Sequence, residues 1–97
     1  MISLHITKNE LLNIQNPKII DIREPKNYTS DHIDDAINIP YNKILINPGK
    51  YLNKNENYYL YCEHGKTSSS LCHILNAQGY HTYSITGGYE MWKTNKI

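Results

Sequence analysis

The feature that most narrows what this 97-residue chain can fold into is a rhythm. Short β-branched or aromatic runs alternate with stretches of helical character. Runs at residues 19–22, 36–39, 58–61 and 81–85 are each bounded by polar residues, Pro or Gly, and read as strands. Residues 3–6 add a fifth at an edge. Between them, Thr7 caps a helix running to about residue 14, with Glu10 completing a capping box and Pro17 marking the exit. Residues 42–46 form a short amphipathic turn. The clearest helix spans 67–78, with Leu71, Cys72, Ile74 and Leu75 at helical spacing and Gly79 just past its end. Gly87-Gly88 opens a last helix, 89–94, that carries Trp92. Alternation at this spacing predicts an α/β fold: a mainly parallel central sheet of about five strands with helices on both faces. At this length residues 1–97 make one domain with one core.

Charge excludes some partners. Ten Lys and Arg stand against nine Asp and Glu, a net +1, so neither nucleic acid nor an anionic membrane is implied. No apolar run approaches the roughly 18 residues of a membrane span. The first residues lack a basic stretch followed by an apolar one, and the last match no lipidation signal. The expectation is a cytoplasmic protein whose two cysteines are both free thiols. With nine Tyr and no Phe, tyrosines must occupy core positions, and each buried hydroxyl then needs a partner.

Chemistry concentrates in Tyr58-Tyr59-Leu60-Tyr61-Cys62-Glu63-His64-Gly65-Lys66-Thr67-Ser68-Ser69-Ser70. A buried-type strand runs directly into Cys62, a short loop with one glycine follows, and a helix begins. In open α/β sheets ligands bind at the carboxyl ends of strands. A helix N-terminus and nearby cations favour a thiolate, and here the helix start, Lys66 and His64 supply them. Loop N–H groups around Gly65 form a nest for an anionic substrate or a persulfide. Thr67, Ser68, Ser69 and Ser70 offer hydroxyls for capping or oxyanion contact. The alternative for Cys62 is a buried thiol ending a strand. Cys72 lies on the apolar stripe of the helix and reads as core, about 9 Å along the axis from the helix start and too far for an easy disulfide with Cys62. A zinc site from Cys62, His64, Cys72 and His73 is disfavoured, because adjacent helical residues point ~100° apart. No metal is expected. His5, His73 and His81 read as ordinary surface or half-buried histidines.

With those residues in place, the chain resembles a single rhodanese domain. Four blocks carry the resemblance. Asp21-Ile22-Arg23-Glu24-Pro25 is similar to the family's Asp-x-Arg block. His32-Ile33-Asp34-Asp35-Ala36-Ile37-Asn38-Ile39-Pro40 is similar to its His-Ile-x-Gly-Ala-x-Asn-Ile-Pro. The Cys62 loop is the third, and Gly79-Tyr80 with Ile85-Thr86-Gly87-Gly88-Tyr89-Glu90-Met91-Trp92 matches the closing Gly-Gly-x-x-x-Trp. Asp31 and Asp35 replace usual glycines, which suggests a different turn there. Thr67 stands where many rhodaneses place Arg; Lys66 supplies a charge but not the bidentate fork. The Cys-x-His-Gly loop resembles that of short bacterial thiosulfate sulfurtransferases.

The resemblance implies a double displacement. Cys62 takes sulfur from a small anionic donor such as thiosulfate and passes it from a persulfide to a thiol or cyanide, without cofactor or metal. Glu63, His64, Gly65, Lys66, Thr67 and Ser68 would form the anion loop. Asp21, Arg23, Glu24 and His32 would serve as scaffold, the charged trio as a salt-bridged brace. Trp92 would be core and Gly87-Gly88 a tight turn. Two other readings stay open. One is a sulfur-relay or regulatory module serving a partner protein. The other is a phosphatase or arsenate reductase, disfavoured because Ser68, six residues after Cys62, is not the Arg that such enzymes need.

Overall fold

The computed structural model describes residues 4–94. Five strands form one all-parallel sheet: β1 (His5–Ile6), β2 (Ile19–Asp21), β3 (Ile37–Asn38), β4 (Asn57–Tyr61) and β5 (His81–Ile85), in the order β1-β5-β4-β2-β3. β4 is central. It pairs with β2 through Asp21 and Tyr61, and with β5 through Leu60 and Ser84. Ser3, part of the anticipated edge strand, lies outside the described residues.

Instead of the single core expected, alternation along β4 divides the buried residues into two clusters, one on each face of the sheet. Tyr58 and Leu60 face a cluster with Leu71, Cys72 and Leu75 of α4 (Lys66–Ala77) and Ile44 of α3 (Tyr41–Ile46). Tyr59 and Tyr61 face the other side, with Leu11 of α1 (Lys8–Leu12) and Tyr89 of α5 (Gly88–Thr94). Helices therefore cover both faces, as parallel strands require. The tyrosines satisfy their hydroxyls: Tyr61, fully buried, accepts from the Ile33 N–H at 3.1 Å, and Tyr58 accepts from that of Asn53 at 2.7 Å.

Several boundaries differ from expectation. The Thr7–Glu10 capping box forms, but α1 stops at Leu12, because only Leu11 is buried along it and the chain must turn back through Asn16 (φ +51°) to enter β2. α4 begins at Lys66, one residue early. α2 (Pro25–Ser30) was not anticipated; it buries no residue, so it shows no apolar stripe to read. Asp35 takes φ +69°, backbone that glycine favours, so no distinct turn is needed there. Trp92 is half-buried at the rim of its cluster, with Lys8 Nζ 4.9 Å above its ring, rather than enclosed in the core.

Candidate active site at the carboxyl end of β4

Cys62 follows β4 directly, at the carboxyl edge of the sheet. Gly65 reverses the chain at φ +96° and occupies the cap position of α4 without any side-chain cap. Hydroxyl capping, expected from Thr67 through Ser70, is thus not what the helix uses. The reversal aims two amides at the sulfur: the Gly65 N–H lies 3.1 Å and the Ser68 N–H 3.3 Å from Cys62 Sγ. The Ser68 hydroxyl is 3.4 Å away. Cys62 is buried, at 8% exposure. The two N–H groups form a nest that stabilises negative charge on the sulfur without moving, while the neutral thiol donates to the Ser68 hydroxyl oxygen.

The other loop side chains turn outward. Glu63 reaches Arg23 Nη1 at 3.1 Å, and exposed His64 pairs with Glu90 at 2.7 Å. Lys66 and Thr67 are exposed on the first turn of α4. Ser69 meets His5 Nε2 at 3.0 Å.

A second chain segment clamps the loop. The Tyr89 N–H donates to the Cys62 carbonyl at 2.9 Å and the Glu90 N–H to that of Glu63 at 3.0 Å. This approach requires glycine. A Cβ on Gly88 (φ +64°) would lie 2.6 Å from the Cys62 carbonyl oxygen and 2.7 Å from Glu63 backbone atoms.

A buried brace stands beside the loop. Asp21, fully buried at the end of β2, takes the Arg23 guanidinium at 2.7 and 3.1 Å. Arg23 also donates to the Asp31 carbonyl at 2.7 Å and lies 4.5 Å from the Tyr89 ring. Burial disfavours its charge, but the bonds to Asp21 and Glu63 outweigh that and raise its pKa. Burial, then the Asp31 carboxylate, pushes the Tyr89 hydroxyl up to about 12.

Two scaffold candidates lie apart from this cluster. Glu24 is exposed and holds the α2 N-cap with its carbonyl. His32 stacks on Tyr28 at 3.9 Å and bonds the Tyr28 carbonyl at 2.8 Å. Cys72 is fully enclosed, and burial pushes its thiol up to about 11. His73, next to it, is exposed, so the two do not converge.

The family model for the rhodanese-like domain matches residues 7–95. The chain belongs to the rhodanese-like family. Among relatives of this rhodanese-like domain, thiosulfate sulfurtransferase GlpE of Coxiella burnetii is 32% identical over 92 residues, spanning 94% of this chain and 85% of that protein. A rhodanese-like domain protein from Staphylococcus aureus superposes with a TM-score of 0.80 at 32% identity, covering 91% of this chain and 89% of the other. A rhodanese-related protein from Thermoplasma volcanium gives 0.84 at 28% identity, covering 96% and 93%.

One site residue of this rhodanese-like domain escaped the sequence reading. Ser84 of β5 is fully buried, and its Oγ lies 2.7 Å from that of Ser68. The available signal was polar: Thr82 and Ser84 alternate within a strand that a parallel sheet buries on both faces.

Proposed function

We propose that this chain is a sulfurtransferase that carries sulfane sulfur on Cys62. Its donor is a small anion such as thiosulfate and its acceptor a thiol, cyanide, or the cysteine of a relay protein. The observation behind this reading is the convergence of the Gly65 and Ser68 N–H groups on Cys62 Sγ at 3.1 and 3.3 Å. A family relative named thiosulfate sulfurtransferase supports it.

In the first half-reaction the Cys62 thiolate attacks the outer sulfur of thiosulfate. A new S–S bond forms, the old one breaks, and its electron pair leaves on sulfite. In the second, the acceptor attacks the outer persulfide sulfur and the pair returns to Cys62. Neither half consumes an oxidant or reductant. Negative charge sits on Cys62 Sγ in the thiolate and on the outer sulfur in the persulfide, so donors aimed at Sγ favour the thiolate that attacks in the first half-reaction and departs in the second. We place this chemistry in the reducing cytoplasm, where Cys62 stays a thiol.

Incubation with thiosulfate should add one sulfur, about 32 Da, to the intact mass, with peptide mapping placing it on Cys62. No adduct, or an adduct on Cys72, overturns the proposal.

A further inference from the structure

Beneath the sulfur lies a chain of buried hydroxyls. Ser68 Oγ is 3.4 Å from Cys62 Sγ, 3.2 Å from the Gly65 carbonyl oxygen and 2.7 Å from Ser84 Oγ. Ser84 Oγ lies 3.5 Å from the same carbonyl, which also accepts the Ser69 N–H at 3.1 Å. Both serines are fully buried. A hydroxyl has one proton to give and two lone pairs to receive with.

These distances admit two complete proton arrangements. With a neutral thiol, Cys62 S–H donates to Ser68, Ser68 to Ser84, and Ser84 to the Gly65 carbonyl. With an anionic sulfur, Ser84 donates to Ser68 and Ser68 donates to Sγ, while the Gly65 carbonyl keeps the Ser69 N–H. The two differ by rotation of two hydroxyls, with no heavy atom displaced.

We propose that Ser84 is a positioning residue that, through Ser68, turns a third hydrogen bond onto the sulfur whenever that sulfur is an anion. The thiol proton leaves to solvent, and both serines stay neutral. Ser84 matters because Ser68 has a competing acceptor in the Gly65 carbonyl. A donor arriving at Ser68 Oγ polarises its O–H and strengthens the bond it gives onward. The inference deepens the sulfurtransferase reading, since the Cys62 thiolate attacks in one half-reaction and departs in the other.

The test needs no sulfur donor. Alkylation of Cys62 by iodoacetamide, followed by peptide mapping across pH, reports the anionic sulfur alone. Charged and titratable groups around the loop are Glu63 on Arg23, His64 on Glu90, and Lys66, with the Cys72 thiol in the core below. All of them persist in every variant compared. Ser84→Ala should move the profile upward and slow alkylation below its midpoint about three- to tenfold. Ser68→Ala should move it at least as far, and adding Ser84→Ala to Ser68→Ala should move it no further. An unmoved profile in Ser84→Ala, or an equal shift in both backgrounds, overturns the inference. If Ser84→Ala fails to fold, Ser84→Thr carries the test: the parent's profile supports a hydroxyl role and a raised one refutes it. An intact serine cycle without a thiosulfate adduct refutes only the sulfurtransferase reading. An adduct without the cycle refutes only the role of Ser84.

Discussion

The two cysteines lie ten positions apart and are both buried, Cys62 at 8% exposure and Cys72 at none. Their surroundings differ in donors more than in depth. Cys62 faces two backbone N–H groups and a serine hydroxyl. Cys72 sits among Leu71, Leu75 and Leu60, and burial holds it as a neutral thiol. Burial alone therefore says little about a thiol's chemistry. What counts is whether the polar groups lost with water are replaced by fixed ones.

Exchanging the two sulfurs gives the largest expected contrast. Cys62→Ser should lower sulfur transfer from thiosulfate by a factor of about a thousand or more. Cys72→Ala should keep it within about threefold, and comparable losses in a steady-state assay would erase the distinction. Next comes the geometry of the donors. Gly88→Ala forces a Cβ against Cys62 and Glu63 backbone, and should cost about a hundredfold in kcat/KM by displacing the loop. Gly49→Ala, whose Cβ would meet only the Tyr80 hydroxyl at 3.4 Å, is the control and should leave kcat/KM intact. An equal response at the two glycines would show that the loop position is not critical.

The smallest effect concerns the inert thiol. Folded Cys72 keeps its proton up to about pH 11, whereas an unfolded chain releases it near the ordinary 9.0. Between those values the unfolded state binds fewer protons, so stability falls as pH rises. The loss reaches about 2–3 kcal/mol by pH 11. Urea unfolding at pH 7 and 10.5 should show it, and Cys72→Ala should remove most of the slope. A slope that survives the substitution would place its origin in the buried tyrosines Tyr59, Tyr61 and Tyr89, whose hydroxyls burial also raises.

Much of this architecture was legible because its signals are local. Strand runs, the Thr7 capping box and the helix after Cys62 each depend on neighbouring residues. The Cys62 loop was legible for the same reason: strand, cysteine, glycine and helix start are contiguous. Helix α2 was not, since a helix with no buried residue has only Pro25 to announce it. Nor was the pairing of Glu63 with Arg23, or of Ser68 with Ser84. Those contacts join residues 40 and 16 positions apart, and they exist only once β4 has taken its place between β2 and β5. Sequence displayed the outward polar residues of the loop prominently, yet the groups that touch the sulfur are mostly backbone amides, which carry no residue signature.

The clamp from Tyr89 and Glu90 also bears on how the protein is made. Cys62 is translated well before the residues that hold its carbonyl, and β5, which brings Ser84, is the last of the five described strands to be synthesised. While residues 84–90 are still inside the ribosome, the emerging chain presents a cysteine whose loop lacks its tether and whose hydroxyl relay is half built. Reactivity at Cys62 is thereby tied to synthesis through residue 90, and a product terminated before that point retains the sulfur but not the environment that tunes it.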